Sequence, residues 1–440
     1  MLHRRLADLE QENDPIQVGL VGCGRMGQGV INQVAATKGM RIAAVSDMQA
    51  GRAESSLAQC QPTDIDSICI TSKVNEATQA VANGQVVVAT DSRLINDLPI
   101  DVVVEATGIP ASGARIAYDA ILNQQHVVTL NVEADALVGP MLNRLSENAG
   151  VVYTVTAGDE PGALGGLFEW ASSLGLTIVV AGKGCMHPID WNADAHSLAA
   201  EATEVGVNPK MLASFRDGSK HCVEMCVVSN GTGLVPDIRG THAKAVSLDQ
   251  MPKVLCPTKV GGILSQSGVV ELTPPVFDDH GRRDLARSAT PGVYLIVTTD
   301  HPQIQADFKY LLMGDGPCYL LHRPYHLCAI ETPYSIARAV LEGQATLNPE
   351  AGPVAEVATI AKCDLKVGQI LTGSGGPEIT GQIDRHEIRH RENILPLGLS
   401  YDATMVRNVS KGQALTVDDV AFDNESMAYQ LWRLQQATFA

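Results

Sequence analysis

The run Ile16-Gln17-Val18-Gly19-Leu20-Val21-Gly22-Cys23-Gly24-Arg25-Met26-Gly27 is a short apolar strand that breaks straight into G-x-G-x-x-G. Gly22 permits the sharp turn from strand to helix, Gly24 lets backbone approach a pyrophosphate, and Gly27 allows the helix to pack closely on the strand. The helix opening near Met26 offers unpaired amides and its dipole to phosphate groups. A second apolar run, 40–46, ends at Asp47, twenty residues past Gly27, which is the spacing for a carboxylate on a ribose 2′-hydroxyl. Asp47 favours NAD, whereas Arg25 or Arg52 would pair with the 2′-phosphate of NADP, so both cofactors stay open.

A second group of residues has the chemistry that a nicotinamide needs beside it. Lys183, in Ala181-Gly182-Lys183-Gly184, reads as projecting from a glycine turn after a strand over 176–181. Hydride transfer to a carbonyl builds negative charge on oxygen, which an ammonium stabilises and to which it supplies a proton; the bland alternative is a solvated lysine on a turn. Asp190 is placed to orient that lysine or to take a hydroxyl proton, while Asp194 reads as a helix cap. Glu133 and Asp159 add carboxylates, and with Asp190 they form a set of hard oxygen donors for a divalent cation, set against the ordinary reading of separate solvated acids. Lys210, Arg216 and Lys220 suit the anionic end of a substrate, or else a solvated charged face. His326, in a cluster with His322, Arg323 and Tyr325, suits a cleft lining, an oligomer contact or a plain structural role.

The elements that must hold these residues alternate strand and helix up to about residue 157, which predicts a mostly parallel sheet covered on both faces. Thr107, Gly108 and Asn131 fall at strand ends, where ligands gather in such sheets, and are expected beside the nicotinamide ribose. The pattern changes twice. This divides the chain into a dinucleotide-binding domain over 1–157, a catalytic domain over 158–351 and a small β-rich module over 352–440. A loop at 158–163 is expected to feed a helix over 164–174. Two phrases of one kind, Lys366-Val367-Gly368-Gln369 and Lys411-Gly412-Gln413, mark the last module.

The 440 residues carry a net charge of −17, which excludes a nucleic-acid partner, since phosphate-backbone binding needs a basic face. No apolar run is long enough to span a bilayer, so no membrane is expected. The first ten residues lack a signal-peptide core and space their leucines as an amphipathic helix does, giving the expectation of a cytoplasmic protein. The ten cysteines form no C-x-x-C pair and read as reduced, packed thiols.

The phrases VGLVGCGRMG, DVVVEATG, HVVTLNVEADALVGP, GDEPGA, VVAGKG, NPKMLASFRDGSK, SNGTGLVPDIRG, GDGPCYLLHRPYHLC and ETPYSIARAVL stand in one order over most of the chain. In them the chain resembles the homoserine-dehydrogenase-like oxidoreductases with a C-terminal SAF domain, a group that includes the deoxyxylulose-phosphate reductoisomerase-like enzymes. The resemblance implies an α/β fold: an N-terminal Rossmann doubly wound parallel sheet, an α+β catalytic domain that also mediates homo-oligomer assembly, and an SAF tail. It implies an NAD(P)-dependent reaction on a small polar hydroxy or oxo compound. The sharpest form is reductive isomerisation of 1-deoxy-D-xylulose 5-phosphate to 2-C-methyl-D-erythritol 4-phosphate. A dehydrogenase of homoserine or of a sugar acid, and a non-catalytic dinucleotide-binding sensor, stand as alternatives. Homoserine dehydrogenases carry a lysine after the asparagine that is Asn131 here, and Val132-Glu133 replaces it.

Overall fold

Short strands built from Val, Ile and Ala line up in parallel to make the first sheet of the computed structural model, which describes residues 1–49, 51–60 and 68–439. They are β1 (Ile16–Val21), β2 (Met40–Ser46), β3 (Ile68–Ile70), β4 (Val86–Ala89), β5 (Val102–Glu105), β6 (His126–Thr129) and β7 (Tyr153–Val155). Their spatial order is β3-β4-β2-β1-β5-β6-β7. Apolar side chains on both faces of β1 and β5 are wholly buried, as a sheet sandwiched between helix layers requires. The chain crosses from one half of the sheet to the other around β1, so a crevice opens at the carboxyl ends of β1, β2 and β5.

Helix α1 (Arg25–Ala36) rises from the glycine turn, and α2 (Pro110–Leu122) and α3 (Val132–Ala149) follow β5 and β6. Gly22 has φ +98°, a conformation that a side chain resists. At Gly27 a Cβ would lie 1.9 Å from the Gly22 carbonyl oxygen, so the first turn of α1 touches the strand's end through backbone alone.

The second sheet is mixed. It comprises β8 (Thr177–Gly184), β9 (Val235–Pro236), β10 (Val269–Thr273), β11 (Val293–Thr298) and β12 (Cys318–Arg323), ordered β12-β11-β8-β10-β9. Helices α4 (Glu160–Ser173) and α5 (Ser219–Thr232) pack beside it. After β12 the chain returns to the first domain: Ala329, Ile336 and Ala337 bury against Val30 and Ile31 of α1.

Beyond residue 352, β13 (Ala355–Ala361) and β14 (Ile379–Arg385) pair antiparallel. The two K-G-Q phrases sit face to face as matching turns. Leu365 and Val409 exchange backbone hydrogen bonds, and Gln369 and Gln413 each accept from the amide three residues earlier, of Lys366 and Ser410. A last helix, α6 (Met427–Thr438), folds back on α2 and α3, where Gln435 bonds to the backbone of Leu137 and Met141. Among the described residues no helix is long and apolar enough to cross a membrane.

Because Gly27 meets backbone rather than a yielding side chain, Gly27→Ala must push α1 off the strand. The expected cost is about 1–3 kcal/mol in thermal unfolding, with at least about a tenfold loss of NADH affinity by fluorescence titration; unchanged binding would contradict the packing described.

Candidate active site

The crevice at the end of β1 is a cleft of about 650 Å³. Gly22, Gly24, Asp47, Arg52 and Thr107 line it, with Arg115 of α2 on the facing wall and Glu425 and Ser426, from the start of α6, closing its outer edge. Nothing lies within 4 Å of where a Gly24 Cβ would stand, so the cradle over the α1 amides is open. Asp47 braces it: its carboxylate accepts from the Cys23 amide at 2.9 Å and the Gln49 amide at 2.8 Å, with the Arg52 guanidinium 3.9 Å away. Arg25 and Met26 are exposed on the first turn of α1, and Gly108 is exposed with φ +69°. Asn131 lies behind the cleft, fully buried. Its side-chain oxygen caps α3 at the Ala134 amide, and its amide donates to the Ile109 carbonyl. Beneath Thr107, burial lifts the Glu105 carboxyl to about 7, against the pull of its hydrogen bonds to Thr107 and Asn131.

Lys183 is not on a turn. Strand β8 continues to Gly184 and is paired on both sides, Lys183 standing opposite Leu272 of β10 and Val293 of β11. Its glycine neighbours serve packing: a Cβ on Gly182 would meet the Tyr294 ring at 2.4 Å, and one on Gly184 the Thr290 backbone at 2.2 Å. The lysine is 1% exposed, and its ammonium is gripped by Glu160 of α4 and Glu224 of α5. The helix expected over 164–174 begins at Glu160, because Asp159 is its N-cap, accepting from the Glu160 amide at 3.2 Å, and Pro161 follows in the first turn. Glu160 is thereby turned inward.

Around this floor stands a partly exposed rim of Asp159, His326, Cys328, Lys220 and Glu133. His326 Nδ1 is 3.1 Å from the Gly158 carbonyl and Nε2 is 3.5 Å from Glu160. Lys220 donates to Glu133 at 2.7 Å, which ties α5 to the first turn of α3 and so to the strand ends of the cofactor domain. His221 Nδ1 lies 3.7 Å from Glu224, and burial and Lys183 lower its pKa. Burial opposes the ammonium of Lys183, yet Glu160 and Glu224 hold its pKa above the usual lysine range. Burial likewise opposes ionisation of Glu160, but Lys183 and His326 keep it well below the carboxylate range. Asp159 goes the other way, raised by desolvation and by the charges of Glu160 and Glu224.

Residues 22–155 match the family model described as homoserine dehydrogenase, NAD binding domain, and residues 158–332 match that described as oxidoreductase DRL, catalytic domain. The chain is an NAD(P)-dependent oxidoreductase. No curated protein matches it. Similar solved structures include scyllo-inositol dehydrogenase from Lactobacillus casei with bound NAD(H) and scyllo-inositol, at 12% identity and TM-score 0.40, covering 77% of this chain and 92% of that one. Myo-inositol 2-dehydrogenase from Lactobacillus plantarum gives 12% and 0.38, covering 75% and 91%. 1-Deoxy-D-xylulose 5-phosphate reductoisomerase from Zymomonas mobilis in complex with NADPH gives 12% and 0.36, covering 49% of this chain and 57% of that one.

Several residues singled out by spacing lie elsewhere in the oxidoreductase. Asp190 is exposed on a surface turn, its carboxylate accepting from the Asn192 amide, because the chain leaves the sheet after Cys185. Asp194 caps the turn at His196 and Ser197 rather than a helix. Lys210 reaches the Thr372 carbonyl and the Tyr401 ring, and so joins the catalytic domain to the last module. Arg216 bonds to Glu201. The oxygen-donor set expected from Glu133, Asp159 and Asp190 is instead Asp159, Glu160 and Glu224, whose carboxylate oxygens lie within 4.8 Å of one another. Val132, which stands where homoserine dehydrogenases have lysine, is wholly buried, and Lys220 is the cation that meets the first turn of α3.

Lys183→Met leaves Glu160 and Glu224 facing each other without their cation, an expected loss of about 3–5 kcal/mol at neutral pH. In the native oxidoreductase both carboxyls have lowered pKa values, so their contribution is present above the unfolded-state value and fades as pH falls. In the variant those pKa values rise and protonation relieves the repulsion. The gap in melting temperature between the two proteins should therefore narrow from pH 8 to pH 5; a gap that is constant or widens on acidification would contradict the pairing.

Proposed function

We propose that this oxidoreductase carries out the reductive isomerisation of 1-deoxy-D-xylulose 5-phosphate to 2-C-methyl-D-erythritol 4-phosphate with NADPH or NADH. One observation carries the reading: a buried ammonium lies between two carboxylates beneath a third, Asp159, and the rim is tied to the strand ends of the dinucleotide domain through Lys220 and Glu133. The order of family phrases along the chain and the match of residues 158–332 to the DRL catalytic domain support it.

The reaction has two parts. A carbon–carbon bond migrates to the ketone carbon while a hydroxyl loses its proton and becomes an aldehyde, and the nicotinamide hydride then adds to that aldehyde as its oxygen gains a proton. Both parts move negative charge between oxygens of one substrate. Lys183 stabilises that charge and can return a proton. Asp159, at the rim, has its pKa raised by desolvation and by the charges of Glu160 and Glu224, which favours its holding a proton beside carboxylates whose pKa values are lowered. His326 holds its Nδ1 against the Gly158 carbonyl and its Nε2 toward Glu160, so the ring is oriented between the start of α4 and the rim.

The residues also fit a divalent cation. Four carboxylates, Asp159, Glu160, Glu224 and Glu133, outnumber the two ammonium groups of Lys183 and Lys220, and hard oxygens suit such an ion. Asp159, Glu160 and Glu224 would hold it, and when bound it supplies polarisation of the substrate's carbonyl and hydroxyl oxygens. Assembly as a homo-oligomer and an SAF identity for residues 352–440 complete the reading and rest on the family resemblance.

Purified protein given the ketose phosphate, Mg²⁺ or Mn²⁺ and either cofactor should lose nicotinamide absorbance and be inhibited by fosmidomycin. No turnover with either cofactor would end the reading. Because a proton on Asp159, whose pKa is raised, competes with the cation, Mn²⁺ affinity measured by calorimetry should climb as pH rises through the Asp159 pKa, by up to about tenfold per pH unit; affinity independent of pH would contradict the assigned ligands.

A further inference from the structure

Helix α6 belongs in sequence to the last module, yet it packs on the first domain, along α2 and α3. Helix α3 carries the feature that receives it: Pro140 stands inside α3 and leaves the Ala136 carbonyl without its usual amide partner. One residue on, the Gln435 side chain accepts from the Met141 amide at 3.1 Å and donates to the Leu137 carbonyl at 3.1 Å, the two backbone groups that a regular helix pairs with each other. Gln435 is 1% exposed, and Leu431 and Trp432 are buried on the same helix. The buried Arg389 guanidinium lies 5.3 Å from the centre of the Trp432 ring, donates to Gln436 at 2.8 Å and pairs with Glu356 of β13. The far end of α6 is thus fixed to α3 and to the last module at once.

Its near end meets the dinucleotide cleft. Ser426 caps the helix, its hydroxyl accepting from the Tyr429 amide at 3.3 Å, and Glu425, Ser426 and Met427 line the cleft alongside Ala111, Arg115 and Ile116 of α2. The other lining residues belong to the first domain, and among the described residues none comes from the catalytic domain that holds Lys183. This is therefore the half of the crevice that takes pyrophosphate and adenosine: the α1 amides receive the one, Asp47 stands at the ribose of the other, and the nicotinamide has to point away, toward Lys183. Past Asp47 the lining turns apolar. Met48 is 81% exposed at the end of β2, and Ile116 and Met427 stand on the side of α2 and α6.

We infer that the first turn of α6 is a wall of the adenine pocket, with Met427 covering the base across from Met48, so that the last module holds the cofactor that the first domain recognises. A flat, polarisable purine gains most from apolar cover on both faces, and a thioether supplies it while adapting to the ring. Glu425 stays exposed at the mouth. The same module grips the catalytic domain through the buried Lys362–Asp217 pair at 2.6 Å, so an adenosine held under α6 ties all three domains together. Only the cofactor is needed for this role, whatever the substrate.

The test uses the full chain with ADP and NADH as ligands. Met427→Ala, at a half-buried position, should weaken ADP binding in calorimetry by about three- to tenfold and NADH binding by the same factor; Met427→Leu, which keeps the apolar cover, should restore most of the affinity. Gln435→Leu lies about 12 Å along the helix from residue 427; it loosens α6 without touching the cleft and should weaken ADP binding too. In the native protein, saturating ADP should slow hydrogen exchange of the amides of residues 427–431. ADP affinity unchanged in Met427→Ala, NADH weakened where ADP is not, or exchange in α6 indifferent to ADP would overturn the inference.

Discussion

A lysine with almost no solvent contact, in the middle strand of a sheet, must be paired, because an isolated ammonium there would lose its charge. Lys183 meets this constraint with two carboxylates that come from different helices, Glu160 at the start of α4 and Glu224 inside α5. The pairing fixes three elements of the catalytic domain relative to each other. It also concentrates charge where the domain faces the dinucleotide cleft, since Asp159 caps the helix that carries Glu160 and Lys220 lies one turn before Glu224. The proposed site is thus assembled by the same contacts that hold the second sheet to its helices.

The two halves of the molecule share a buried apolar core in which α3 packs on α5, and specific contacts at its rim add to it. Lys220 and Glu133 link α5 to α3, and Ala329 packs against the helix that rises from the glycine turn. Cys328 adopts φ +22°, a conformation that a side-chain-bearing residue rarely takes, at the rim where the catalytic domain hands the chain back to the first. Helix α6 adds a third link by reaching from the last module to the edge of the cofactor cleft.

How much of this was legible in the sequence follows from how local each signal is. The dinucleotide cleft is written in a short window, because backbone approach to phosphate demands glycine at fixed positions, and the alternation of strand and helix predicted the parallel sheet. The ion cluster is written across distant segments. Residues 160, 183 and 224 have no spacing that betrays their contact, and α5 is buried on nearly every side, so its sequence shows no polar face to mark Glu224. Glycines 182 and 184 signalled a turn when their true cause was a tyrosine ring and a neighbouring backbone. The one local clue to Glu160 was Asp159 followed by Pro161, a cap and a first-turn proline that start a helix one residue after the aspartate. Asp190 and Lys210 were near the site in sequence but not in space, because the chain exits the sheet between them.

In the proposed reaction the buried ammonium of Lys183 acts on the oxygen that gains and loses charge. Single-turnover stopped flow with saturating NADPH, Mn²⁺ and the ketose phosphate, comparing the native protein with Lys183→Met at a pH where both are folded, tests it most directly. The rate of nicotinamide oxidation should fall by about 10²-fold or more, with NADPH affinity retained. A rate within about twofold of the native value would mean that the ammonium holds the fold together and takes no part in the chemistry.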